Sequence, residues 1–214
     1  MKPPLLIVGG GGHARVVADI IADAGIYAIA GFVAPAGDYH IPQVERLGDD
    51  SIVEALIERG VAHAAIALGD NALRKRLWTR LAAAGYQFPA LVHPSATISR
   101  HARIGEGTVV MPNAAINTGT VVGRCAIVNT GASIDHDGRI GDFAHVAPGC
   151  ALAGTVTLEE GVFLGVGTSV IPGRRIGAWS VIGAGASVVT DIDAVSLALG
   201  VPARVVRMLT EDPR

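Results

Sequence analysis

Two different rhythms of apolar residues divide the chain. Over residues 4–92, short apolar runs alternate with amphipathic stretches. The runs are Leu5 to Val8, Tyr27 to Val33, Ala62 to Leu68 and Phe88 to Val92; helical patterns fall at about His13 to Ala24, Ser51 to Arg59 and Asn71 to Ala84. Strands alternating with helices predict a parallel sheet with helices on its faces. Ala34 to Gly48 carries neither rhythm and reads as an irregular loop. From Pro94 onward every sixth residue from Ile98 to Val188 is Ile, Leu or Val, sixteen positions in succession. The residue two before each aliphatic is small in most repeats, as at Ala96, Ala102, Thr108, Ala114, Thr120, Ala126, Ala132, Gly138, Ala144 and Cys150. An ordinary strand alternates with period two. A period of six with two inward positions predicts a triangular prism of short strands, three hexads to a lap, each lap hydrogen-bonded to the next. The expected division is an α/β half-domain at 1–93, a parallel β-helix at 94–192 and a strand or tail at 193–214.

Composition narrows the function. Aromatic residues make up 4% of the chain while Gly numbers 28, so small and branched side chains must fill a narrow, repetitive core. The formal net charge of −2 comes with no basic block, which argues against a nucleic-acid partner. No stretch reaches the 18 or so unbroken apolar residues of a membrane span. The N-terminus enters an apolar strand without the pattern of a signal peptide, and Cys125 and Cys150 suit a reducing compartment, so a cytoplasmic protein is expected. An ice-binding or spacer prism would repeat its outward residues, and this one does not.

The polar chemistry concentrates between Asn129 and Gly149. His136 lies between Asp135 and Asp137, two residues after an inward aliphatic and so near a prism corner. A carboxylate beside an imidazole fixes one tautomer and raises basicity, which suits a general base near neutral pH. Adjacent side chains diverge in a straight strand, so Asp137 can reach the ring only if the chain bends there. His145 is nine residues on, half a lap, and therefore faces another side of the prism. The two histidines can meet only where prisms pack side by side, which predicts a cyclic homo-oligomer, most simply a homotrimer, with sites between subunits. Gly154 follows His136 by one lap and offers a bare backbone N–H of the oxyanion-donor kind. Ala147, Gly165 and Gly183 form a second column, expected to leave an open path for a long, thin pantetheine arm. At the other end of the chain, Gly9 to Gly12 lead into His13 at the start of a helix, a place suited to phosphate. Gly69, Asn71 and Arg74 end the third strand and open a helix at the same sheet edge. A zinc site of three imidazoles would need His101, which lies far from the other two, so no metal is expected.

Val8-Gly-Gly-Gly-Gly-His13, Ala67-Leu-Gly-Asp-Asn71 with Arg74, Asp135-His-Asp137, Ile140 to Gly149 and Gly200-Val-Pro-Ala-Arg204 together resemble the bacterial sugar acyltransferases typified by the pilin-glycan and sialic acid acetyltransferases. The resemblance implies a Rossmann-like domain followed by a left-handed β-helix, and acetyl-CoA as cosubstrate. It implies that His136 is the base, that Asp137 raises its basicity, and that His145 and Gly154 contact the acetyl thioester. It also implies that Gly11, Gly12, His13 and Gly69 hold a nucleotide sugar, with Asn71 and Arg74 beside them. Members often carry an acidic pair after the second strand, where this chain has Ala34-Pro35, so a GDP sugar such as GDP-perosamine is as plausible as a UDP sugar. The expected reaction is N-acetylation of a 4-amino sugar; O-acetylation of a sialic acid type sugar and a non-catalytic nucleotide-sugar sensor are the alternatives.

Overall fold

The computed structural model describes residues 1–209; the end of the expected C-terminal tail, residues 210–214, lies outside the described residues. The first unit contains β1 (Pro4–Val8), α1 (Gly12–Ala24), β2 (Ala28–Val33), β3 (Arg46–Gly48), α2 (Val53–Glu58), β4 (His63–Ile66) and α3 (Asn71–Ala83). Its four parallel strands are ordered β3-β2-β1-β4. Leu5, Leu6 and Ile7 are fully buried because helices cover both faces of the sheet.

Two expectations about this unit are corrected. The loop 34–48 contains an edge strand: Arg46 Nη2 donates to the carbonyl of Ala34 at 2.8 Å and lays residues 46–48 alongside β2. The run Phe88 to Val92 does not complete the α/β sheet. Its ordered part, β5 (Leu91–Val92), pairs with Val109 and Val110 and is the first rung of the prism. Periodicity could not separate the two, since a buried strand reads alike in either setting.

Beyond Val92 the chain winds through two-residue strands in which residue i pairs in parallel with residue i+18, as Ser133 does with Ala151 and Arg139 with Thr157. Three flat sheets result. Face one carries residues 109, 127, 145 and 163, face two carries 115, 133, 151 and 169, and face three carries 103, 121, 139, 157 and 175. The hexad aliphatics form one continuous column inside, buried from Val110 to Val188, while Ile98 and Ile104 at the open lower end are only partly covered. Inward hydroxyls are satisfied by backbone: Thr108 Oγ1 donates to the Gly123 carbonyl at 2.6 Å and Thr120 Oγ1 to that of Asp135 at 2.7 Å. The upper end of face one is closed by a hairpin, in which Ser196–Leu199 continues the parallel order and Arg204–Met208 pairs with it antiparallel.

The α/β unit sits on face one. Val109, Met111 and Ile127 are buried in a common cluster with Leu5, Ile7 and the inner face of α1. Helix α3 lies along the corner between faces one and three, with Trp78 edge-on to Phe143 at 5.7 Å and the Arg124 guanidinium over the Trp78 ring at 4.9 Å. Faces two and three stay uncovered by this unit. No helix among the described residues is long and apolar enough to cross a membrane.

Candidate active site

His136 stands on the corner between faces two and three, the one corner remote from the α/β unit. The next residue, Asp137, has φ 58°, the left-handed conformation that turns the chain, and Asp tolerates it better than most residues. That turn folds the carboxylate back, so that His136 Nδ1 lies 2.9 Å from Asp137 Oδ2. A carboxylate only accepts, so Nδ1 carries the proton and Nε2 is left with an open lone pair. The Asp137 hydrogen bond and then the charge of Asp135 raise the His136 pKa above the ordinary imidazole value. Asp135 is itself fixed: its Oδ1 accepts from His136 N at 2.8 Å and from Asn117 Nδ2 at 3.0 Å, and its carboxyl pKa is lowered by these bonds.

One lap above, Gly154 has no side chain because the imidazole occupies that space. A Cβ there would come within 2.5 Å of both Cε1 and Nε2 of His136. Gly119, one lap below Asp137, is bare for the same reason, since its Cβ would fall 2.3 Å from Asp137 Oδ1. Beside this corner, on face two, lies a cleft of about 470 Å³ lined by Asn117, Asp135, Ala151, Ala153 and Pro172.

The Gly165 and Gly183 column leaves no room for side chains. A Cβ on Gly165 would meet Ala184 N at 2.5 Å, and one on Gly183 would meet Leu199 Cδ2 at 2.3 Å, so both glycines are bare to let successive coils and the terminal hairpin close on each other. Gly165→Ala is therefore expected to lower the thermal midpoint, with a cost of about 1–3 kcal/mol or more from overpacking against backbone. Calorimetry on the variant checks this.

His145 lies on face one under the α/β unit and is 7% exposed. Its Nδ1 is 3.3 Å from the Gly69 carbonyl, its Nε2 is 3.1 Å from Asn129 Nδ2, and the Phe163 ring meets it edge-on at 5.1 Å. Burial, and then the charge of Arg74, push its pKa down to about 4. His13 opens α1 in the same region, with Nε2 buried and unpartnered and a pKa likewise lowered to about 4, by burial and then by Arg74. Gly11 and Gly12 are exposed at the N-terminus of α1, free to approach a ligand, while Gly10 is covered by the ring of Tyr39.

The side-chain hydrogen bonds of Asn71 and Arg74 go to the prism and the 68–71 turn, while the Arg74 charge still reaches His13 in the glycine turn. Arg74 is 1% exposed and donates to the carbonyls of Cys125, Leu68 and Phe143 and to Asn71 Oδ1. Asn71 Nδ2 donates to the Gly161 carbonyl at 3.0 Å, and the α3 cap is made by Asp70, whose Oδ1 accepts from Leu73 N. Both residues tie the α/β unit to the prism.

The residues missed from sequence are Gly119, Asn117, Asn129, Phe163 and Tyr39. Three of them follow one rule: Gly119, Asn117 and Phe163 each stand one lap, eighteen residues, from Asp137, Asp135 and His145. Reading every polar residue against its neighbours at ±18 would have found them. Asn129 and Tyr39 give no such signal.

Residues 4–81 match the family described as the PglD N-terminal domain. The crystal structure of PerB from Caulobacter crescentus in complex with CoA and GDP-perosamine is 42% identical, covers 94% of this chain and 96% of that one, and superposes with a TM-score of 0.91. The acetyltransferase domain of PglB from Neisseria gonorrhoeae in complex with acetyl coenzyme A is 32% identical, covers 96% of this chain and all of that one, and also gives a TM-score of 0.91. The GDP-perosamine N-acetyltransferase of Escherichia coli O157:H7 is 31% identical over 123 residues, 56% of this chain and 54% of that protein, so this match spans about half of the relative's length. With such likeness running through both units, the chain belongs to the bacterial nucleotide-sugar N-acetyltransferases that join a PglD-type N-terminal domain to a left-handed parallel β-helix.

Proposed function

We propose that the protein transfers the acetyl group of acetyl-CoA to the 4-amino group of a GDP-linked 4-amino-4,6-dideoxy sugar, with His136 as the general base. The observation that carries this reading is the state of His136: Nδ1 is committed to Asp137, and Nε2 is an exposed lone pair of raised basicity against the bare backbone of Gly154. The neutral amine attacks the thioester carbonyl carbon and its proton passes to His136 Nε2. The C–S bond then breaks, CoA leaves as thiolate, and the proton on the imidazole returns to solvent or sulfur. A backbone N–H such as that of Gly154 supports the oxyanion. The cleft on face two beside Ala153 and Pro172 supports a pantetheine path there.

The nucleotide sugar is assigned to the α/β unit. The strand order β3-β2-β1-β4 changes direction between β1 and β4, and ligands of open α/β sheets sit outside the carboxyl ends of the strands at such a point. There the N–H groups at Gly11, Gly12 and His13 face a diphosphate, with the nucleoside toward Tyr39 and the sugar toward Gly69 and His145. PerB was crystallised with GDP-perosamine, and its 42% identity favours a GDP sugar here. Since His136 and the α/β unit lie on opposite sides of one prism, the reading requires His136 of one subunit to meet His145 and the sugar of the next, in a homotrimer.

Free-CoA release against UDP-, GDP- and dTDP-linked 4-amino sugars tests the substrate; release is expected with a GDP-linked sugar, and none with any member would end the reading. Mixed oligomers of His136→Ala and His145→Ala chains test the assembly. Some interfaces then join two native histidines, and activity should return to a measurable fraction on mixing. A mixture as inactive as its parts places both histidines in one subunit's site.

The pH dependence follows from the sign of the shift. Base catalysis requires neutral His136, so kcat/KM is lost as pH falls through a pKa lying above 6.5. Asp137→Asn removes the largest cause of that rise. The acid limb should move to lower pH while the plateau rate falls, and an unmoved limb would detach Asp137 from the base.

A further inference from the structure

Among the described residues, Arg74 is the one Lys, Arg, Asp or Glu side chain that is buried. A guanidinium removed from water costs several kcal/mol unless it is well paired, and an apolar replacement of similar volume often holds two surfaces together better. Arg74 has no carboxylate partner among the described residues. Its fork is spread instead over the carbonyls of Leu68 (3.0 Å), Cys125 (2.8 Å) and Phe143 (2.6 Å) and over Asn71 Oδ1 (2.9 Å). Asn71 adds the Gly161 carbonyl. Residues 125, 143 and 161 are one lap apart, so the pair grips the same corner of three successive coils. What it fastens there is the turn 68–71.

Gly69 sits in that turn, and its carbonyl is the partner of His145 Nδ1. The other ring nitrogen is equally determined. Asn129 Oδ1 accepts from Thr130 N at 2.8 Å, so the amide presents its N–H to Nε2, which must be a lone pair. A second proton on the ring would confront the Asn129 donor. The titratable or charged groups facing His145 are Arg74 and His13, and the remaining contacts are Gly69, Asn129 and Phe163.

We propose that Arg74 and Asn71 are positioning residues that pin the 68–71 turn to three coils of the prism and thereby hold His145 as a neutral, Nδ1-protonated imidazole beneath the α/β unit. The inference rests on the reading that His145 lies beside the substrates. Without the latch, the Gly69 carbonyl moves away, Nδ1 loses its acceptor, and the ring is free to exchange tautomers or turn over.

The test is the imidazole ¹⁵N spectrum of histidine-labelled protein, with the His145 signals identified by their loss in His145→Gln, read together with steady-state kinetics. In the native protein His145 should stay neutral and Nδ1-protonated between about pH 5 and 8. In Arg74→Met a second tautomer should arise, and kcat should fall about tenfold or more while the KM for acetyl-CoA changes less than about threefold. Arg74→Lys should not rescue, because one ammonium cannot span acceptors on two units. Asn71→Ala keeps the charge and three of the guanidinium's four hydrogen bonds; it should shift His145 in the same direction with a kcat loss of about threefold, and it carries the test if Arg74→Met does not fold. A folded variant with a lower thermal midpoint but native His145 signals overturns the proposal, as does a changed tautomer with native kcat. The spectra need no substrate. A native protein that acetylates no sugar would therefore refute the proposed reaction while leaving the latch separately readable.

Discussion

Replacing His136 with asparagine is expected to lower turnover by a factor of about a hundred or more and to leave acetyl-CoA binding nearly intact. Asparagine fits the corner, since the native side chain is about half exposed and faces the bare Gly154 of the next lap. What disappears is the one basic nitrogen with an open lone pair at this place. Its loss should also remove the contribution of the imidazole to the acid limb of the pH profile. Titration calorimetry with CoA and single-turnover measurements separate binding from chemistry. Near-native turnover in the variant would remove His136 as the base, whatever its surroundings.

Gly154→Ala should come close to that effect by moving the base instead of removing it. The new methyl would stand 2.5 Å from Cε1 and Nε2 of His136, and the ring must give way because it is the mobile partner. A reacting group displaced by about 1 Å can cost on the order of a hundredfold in rate. Since the strained contact is with the end of a side chain, the thermal midpoint should hardly change. Gly165→Ala has the opposite signature, since its methyl meets backbone. One variant is stable and slow, the other active and fragile, and measuring both quantities on both proteins tests the assignment of each glycine. A fully active Gly154→Ala would mean that the imidazole works from another rotamer.

The prism was legible because a six-residue period leaves few alternatives, and the strands lie where the aliphatics fall, from Ile98 to Val188. The His136 corner was legible in part. The contact with Asp137 was expected only on condition of a bend, and the left-handed Asp137 supplies it. The packing partners of Arg74, Asn71, Gly165 and Gly183 were not legible, because residue type alone does not give direction. An arginine near a glycine turn suggests phosphate, yet its direction is decided by α3, whose docking depends on tertiary contacts with residues 125, 143 and 161. Likewise a bare column indicates only that something approaches, and whether that is a ligand or the next coil lies outside a local pattern. The strand at 46–48 was hidden for a related reason: an edge strand of three residues leaves no periodic trace.

The terminal hairpin has a consequence for how copies of this chain behave toward each other. A stack of parallel rungs exposes at its last lap a row of amide groups ready to accept the first rung of another molecule, and end-to-end growth into fibres would follow. The last strand, Arg204–Met208, runs the other way, so the hydrogen-bonding pattern it offers outward does not match an incoming parallel rung, and Arg204 and Arg207 place like charges along that edge. Cutting the chain before Ser196 should therefore leave the catalytic corner in place and turn a discrete particle into one prone to polymerise.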